Sequence, residues 1–228
     1  VGVVDLSHVL SPSTPLFPIY DPVRVAEKFA LAADGLNVNS WAFDEHSGTH
    51  VDAPSHFSDS PVSVDRIDPE DLVLPLAVLD LRERAAADED AAVVPDDVLA
   101  WERAHGPLPD RCAILVDTGW AARIDRPGAF INADDSGTLH SPGLSAEVCE
   151  FLVAQRPGVH AVGMDTGSLD IGPSADFEAH AAWLPTGRYG LECVANLDRV
   201  PRAGATLIVG VPRFEAGTGG PARILALT

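Results

Sequence analysis

The chain has 228 residues, 46% of them hydrophobic and 21% charged, with 34 acidic against 15 basic side chains and a formal net charge of −19. Phosphate binding needs clustered Lys and Arg, so this balance excludes nucleic acid as a partner and disfavours an anionic membrane surface. No apolar run reaches the roughly 18 residues of a membrane span, and the amino terminus lacks a signal peptide's basic start, so the expectation is one soluble domain over residues 1–228 in the cytoplasm.

Residues 1–10, Val-Gly-Val-Val-Asp-Leu-Ser-His-Val-Leu, read as a strand; His8 in it fits a structural, hydrogen-bonded histidine better than a site residue. Residues 11–22 hold four prolines and form a loop, with Phe17 and Tyr20 as candidates for a pocket wall or lid. Residues 23–31 and 36–43 read as two strands of a hairpin around Asp34-Gly35. Residues 58–70 are a polar loop. Residues 72–81 form a core strand broken at Pro75, and residues 82–92 a charged, solvated excursion or short helix.

Pro95–His105 carries helix signals: proline at the start, Asp96 and Asp97 in the first turn, then Val98, Leu99 and Trp101. The run Cys-Ala-Ile-Leu-Val in residues 111–117 is a strand. Residues 121–143 are an irregular loop. Ser145 caps a helix through Gln155 whose inner face holds Val148, Cys149 and Leu152. Residues 159–165 are a buried strand. Residues 171–190 are a loop with His180 and Trp183, and residues 191–197 follow as a strand carrying Glu192. Residues 205–212 and 222–227 close the chain as strands, the last a candidate for pairing across a subunit interface. Strands outnumber helices, which argues for an α/β domain around one large sheet. Cys112, Cys149 and Cys193 are odd in number and form no C-x-x-C pair, as suits buried free thiols in a reducing compartment.

The chemistry concentrates in residues 46–56, His-Ser-Gly-Thr-His-Val-Asp-Ala-Pro-Ser-His. Imidazole and carboxylate are the usual ligands for zinc and manganese. Gly48, Thr49 and Pro54 oppose a helix. In an extended segment His46, His50, Asp52 and His56 would share one side. Far down the chain, Glu192 stands in the apolar run Leu191, Cys193, Val194, where a carboxylate is costly to bury unless it is paired or binds a metal. Cys193, pointing the other way on a strand, is a poor ligand beside it.

The stretch 46–56 resembles the signature His-x-Gly-Thr-His-x-Asp-x-Pro-x-His of the cyclase family of metal-dependent hydrolases, which includes bacterial kynurenine formamidase, isatin hydrolase and trans-dienelactone hydrolase. The resemblance runs from Asp5-Leu6-Ser7-His8, through Asp117-Thr118-Gly119-Trp120, to Pro221-Ala222-Arg223. It implies a swivelling β/β/α fold with a large mixed, barrel-like sheet, and a region around residues 117–120 close to the substrate. It implies two divalent ions per subunit, zinc or manganese, held by His46, His50, Asp52, His180 and Glu192 with Asp52 bridging, and His56 as the general acid/base.

The expected reaction is metal-assisted hydrolysis of an amide or ester in a small aromatic or cyclic carbonyl compound: a formyl anilide as in tryptophan catabolism, a cyclic amide such as isatin, or a lactone. Phe17, Tyr20, Trp41, Trp120 and Trp183 are the aromatic candidates for its pocket. The partners expected are a small-molecule substrate and further copies of the chain, in a homodimer or tetramer. A ring-closing cyclase of secondary metabolism and a non-catalytic metal-binding scaffold are the other readings. A serine hydrolase finds no G-x-S-x-G.

Overall fold

The computed structural model describes residues 2–228; Val1, the first residue of the expected opening strand, lies outside them. In chain order the strands are β1 (Val3–Asp5), β2 (Arg24–Phe29), β3 (Val38–Ala42), β4 (His50–Asp52), β5 (Val73–Asp80), β6 (Ala92–Val93), β7 (Cys112–Asp117), β8 (Gly143–Leu144), β9 (Val159–Met164), β10 (Tyr189–Glu192), β11 (Ala205–Gly210), β12 (Gly219–Pro221) and β13 (Arg223–Leu227). The helices are α1 (Leu31–Asp34), α2 (Arg82–Ala87), α3 (Pro95–His105), α4 (Pro127–Ile131), α5 (Ala146–Gln155) and α6 (Glu178–Trp183).

Nine strands form one mixed sheet in the order β1-β13-β11-β5-β7-β9-β10-β4-β12, a half-barrel in a single α/β domain, as expected. β5, β7, β9 and β10 run parallel at its centre, and antiparallel pairs close both flanks. The central strands are near-continuous apolar runs because both faces are covered. Alternation sorts them: Leu76, Val78, Ala113 and Leu115 face the core inside the curl, with Val51, Leu191, Leu207 and Ile224. Ala77, Leu79, Ile114 and Val116 face the helices, against Val98, Trp101, Cys149 and Leu152. Each fully buried leucine contributes on the order of 2 kcal/mol, which offsets the cost of the buried charges described below.

α3 has the expected bounds: Pro95 opens it, and the Asp97 carboxylate accepts from Val94 N at 2.8 Å. Ser145 Oγ caps α5, accepting from Val148 N at 3.1 Å. The expected hairpin is β2–β3, but its turn contains α1, ended by Gly35 at φ 78°. Every residue of both hairpin strands is exposed, including Val25, Phe29 and Trp41.

Several expectations need correction, among them the loop over residues 121–143, which contains α4. β5 runs unbroken through Pro75, which precedes the segment paired with β7, so its missing N–H interrupts nothing there. Residues 171–190 are not all loop: α6 carries His180. β12 was not expected, because Gly219-Gly220-Pro221 has no strand propensity and forms by pairing with β4. The final strand β13 is not free to pair across an interface, for it lies between β1 and β11. The three cysteines are free and buried, as expected. Among the described residues no helix is long and apolar enough to cross a membrane.

Candidate metal centre

The histidine-rich segment is only partly extended. His46 sits in the turn before β4, and Gly48 at φ 65° reverses the chain so that β4 can begin at His50. His56 ends a short 3-10 helix opened by Pro54, so that helix, not strand alternation, brings it to the site. Thr49 locks the segment in place: its hydroxyl donates to Cys193 O at 2.6 Å and accepts from His8 N at 2.9 Å. The His8 ring stays off the site cavity.

Sheet register joins the two halves of the chain. On β10, Glu192 lies opposite His50 and Gly190 opposite Asp52; on β12, Gly219 lies on the other side of Asp52. Asp52 is thus flanked by two glycines. A Cβ at Gly219 would come within 2.6 Å of the His46 ring, so bare backbone is what lets that imidazole in. α6 supplies His180. All five residues proposed from the sequence as ligands are buried and converge. Donor atoms of His46, His50 and Asp52 lie within 4.8 Å of one another, as do those of Asp52, His180 and Glu192, and Asp52 belongs to both groups.

Each histidine has one ring nitrogen committed outside the cluster. His50 Nδ1 is 2.8 Å from Gly48 O, which only accepts, so Nδ1 carries the proton. His180 Nδ1 donates to Asp170. Thr218 gives its hydroxyl proton to Glu45 at 2.7 Å, so at 3.1 Å it can only accept from His46 Nε2. The remaining nitrogens face carboxylates: His46 Nδ1 is 2.6 Å from Asp52, His50 Nε2 is 3.2 Å from Asp52 and 3.4 Å from Glu192, and His180 Nε2 is 3.3 Å from Asp52 and 3.0 Å from Glu192. His50 Nε2 and Asp52 Oδ2 are buried without a hydrogen-bond partner. Ring nitrogens this close to carboxylates require positive charge between them, supplied by a proton or by a metal ion. The donor set therefore fits a metal ion.

The electrostatics agree. Burial alone would lower the His50 pKa, yet Asp52 and then Glu192 raise it to about 9. Burial would raise the Asp52 carboxyl, but the charge of His50 and bonds from His180 and His46 hold it well below the usual range. Glu192 is pushed up by burial and by Asp52. His56 is pushed down to about 4, chiefly by burial, so its ring is neutral at pH 7. It stacks on His46 at 3.8 Å between centroids, and Tyr20 stacks on His46 at 5.8 Å.

These side chains open into a cavity of about 120 Å³. Phe17 and Tyr20 line it as expected, joined by Phe57, Phe130 and Phe177. Trp120 and Trp183 do not; they are buried core residues whose indole N–H groups donate to Phe130 O and Tyr189 O. The segment 117–120 is therefore behind the cavity wall. Trp41 is exposed on the hairpin. Cys193 is no longer on a strand: it leaves β10 at φ 52° and lines the cavity as a thiol kept neutral by burial and by Glu192.

The family match is direct. Residues 4–171 match the family described as "Putative cyclase". The chain belongs to this cyclase family. An isatin hydrolase of Roseibium aggregatum is 34% identical over 245 residues, covering all of this chain and 92% of the relative. A kynurenine formamidase of Salinibacter ruber is 26% identical over 225 residues, covering 98% and 96%. A crystal structure of an isatin hydrolase bound to the product analogue thioisatinate superposes with a TM-score of 0.94 at 33% identity, covering 99% of this chain and 92% of that one. His180, Glu192 and Thr218 lie beyond the matched segment.

Three supporting residues were not found from sequence: Asp170, Glu45 and Thr218. The run Gly217-Thr218-Gly219-Gly220 was the available signal, since clustered glycines in a strand mark a close approach. Thr218→Val removes the acceptor that fixes the His46 tautomer. Metal affinity is expected to fall about 10–100-fold, with Thr218→Ser retaining it, measured by competition with a chelating dye. Equal affinity in the valine variant would mean the tautomer is set elsewhere.

Proposed function

We propose that this protein is a metal-dependent hydrolase that adds water across the C–N bond of a small aromatic or cyclic carbonyl compound, a lactam of the isatin type or a formyl anilide. The observation that carries this is the set of three imidazoles, each tied outward through one nitrogen and aimed inward through the other at Asp52 and Glu192. The names of the two relatives, one acting on a cyclic amide and one on a formamide, support the class of bond.

His46, His50 and Asp52 would hold one divalent cation, zinc or manganese, and Asp52, His180 and Glu192 a second. Such cations supply Lewis-acid activation of water and of the substrate carbonyl. The protein's own groups do the rest. The His56 ring, without a hydrogen-bond partner among the described residues and facing the cavity, accepts a proton from the attacking water. As the new C–O bond forms and the C–N bond breaks, it returns that proton to the leaving nitrogen. The products are a carboxylic acid, which gives up its proton to solvent, and an amine, joined in one molecule when the substrate is a lactam. Phe57 and Phe177, packed against His180, keep bulk water off the reacting carbon.

The test is a chelator-sensitive assay on isatin, formanilides and lactones. Dialysis against a chelator should abolish turnover, and zinc or manganese should restore it. Full activity in metal-stripped protein, or no turnover of isatin or formanilides with metal restored, would overturn the reading.

A further inference from the structure

Tyr20 belongs to the proline-rich segment of residues 11–22, which lines the cavity through Pro15, Leu16, Phe17, Ile19 and Tyr20. The segment is tied down at this residue. Tyr20 N donates to Phe17 O at 3.0 Å, and Asp21 N donates to Asp44 Oδ2 at 2.8 Å, two residues before His46 in the chain. The Tyr20 ring is thereby held on the His46 imidazole, 5.8 Å between centroids and 18° from parallel, with the Phe17 ring at 6.4 Å. Its hydroxyl has no hydrogen-bond partner among the described residues, and the carboxylates of Asp52 and Glu192 are near enough to act on it.

A substrate oxygen that enters this cavity needs a donor, because an acceptor stripped of water and left unpaired is costly. Few donors are free. His46, His50 and His180 each have one nitrogen engaged outside the cluster and the other turned to its carboxylates. His56 serves the attacking water. The described lining residues include no Lys or Arg, the Cys193 thiol is a weak donor, and the only hydroxyls are those of Tyr20 and Ser168. Ser168 Oγ is already bonded to Asp170 N at 3.1 Å. The attacked carbonyl belongs to the His/Asp/Glu cluster, so the Tyr20 phenol is left for a different oxygen of the substrate.

We propose that Tyr20 determines specificity: its hydroxyl donates a hydrogen bond to a second carbonyl oxygen of the substrate, the one neighbouring the carbonyl under attack. The preferred substrates are then lactams that are 1,2-dicarbonyls and formyl anilides with an ortho-acyl group. The proposal rests on the hydrolase reading above for its chemistry, and it adds which members of that class the cavity selects. The phenol gives up no proton. Water adds to the attacked carbonyl carbon, the C–N bond breaks, and His56 carries the proton to nitrogen. A bond made equally before and during the reaction contributes to KM and not to kcat.

Two pairs of compounds differ in that oxygen: isatin against 3,3-difluoro-oxindole, whose fluorines keep the lactam activated, and 2-acetylformanilide against formanilide. Tyr20→Phe keeps the ring on His46 and deletes the hydroxyl. In whichever pair is hydrolysed, kcat/KM for the member with the second carbonyl should fall about tenfold or more, chiefly through KM. For the member without it the change should stay within about twofold. A member that is not turned over is followed as a competitive inhibitor, with the same expectation for its inhibition constant. Equal losses across the pair would make Tyr20 merely structural and overturn the proposal, as would no loss for the dicarbonyl member. Discrimination erased by Ser168→Ala and kept in Tyr20→Phe would also overturn it. If the unaltered protein hydrolyses none of these compounds, the hydrolase reading fails, and calorimetric binding of the same pairs decides the role of Tyr20 alone. Binding weakened in Tyr20→Phe only for isatin and 2-acetylformanilide upholds it, and equal binding sinks it.

Discussion

Asp52→Ala is expected to give a folded protein that retains less than about one-tenth of its metal and loses at least about 10³-fold in turnover, the scale of several kcal/mol of transition-state stabilisation. Three imidazoles converge on the Asp52 side chain. Its carboxylate is approached by His46 at 2.6 Å, His50 at 3.2 Å and His180 at 3.3 Å, and the residue is 1% exposed. It is also the member common to both ligand groups, so one substitution removes a donor from each. Gly190 and Gly219 on the neighbouring strands offer no side chain to replace it. Metal content by inductively coupled plasma mass spectrometry, read beside turnover, checks the prediction. Stoichiometric metal in an inactive variant would show that Asp52 serves the reaction without holding the ions.

The parts of this site that were legible in the sequence are those whose residue types have few other uses. Four ligand-type residues in eleven positions left little room for a bland explanation, and Glu192 stood out against its apolar neighbours. The way they meet was not legible. His46 and His56 reach the site through a turn and a 3-10 helix, because Gly48 and Pro54 bound the strand to three residues. His180 reads as a loop residue because the prolines and glycines on either side hide a helix of only six residues. The aromatic wall was half legible: Phe17 and Tyr20 line the cavity, but tryptophan reads equally as core or cavity lining, and here packing took Trp120 and Trp183, leaving the rest of the wall to phenylalanines. The long elements with caps, α3 and α5, came out at their expected bounds because local signals alone decide them. Tertiary pairing decides β12 and the continuity of β5, and no window of local sequence contains it.

His56→Ala separates the acid/base from the ligands. Turnover is expected to fall about 10²–10⁴-fold while metal content stays near that of the unaltered protein. The geometry predicts this division. His56 is absent from both groups of potential ligands, although its ring stacks on His46 at 3.8 Å. That contact is face to face, so it places no His56 nitrogen on the cluster's carboxylates. Removing the ring bares one face of His46, but Thr218 still holds its Nε2, and Tyr20 stacks on the ring as well. The site should therefore keep its shape and lose only its proton carrier. Added imidazole, small enough for the space vacated beside Phe57, should restore part of the rate in a concentration-dependent way. A collapse of metal content in this variant, or a rate within threefold of the unaltered protein, would remove His56 from the role and require another cavity group to carry the proton.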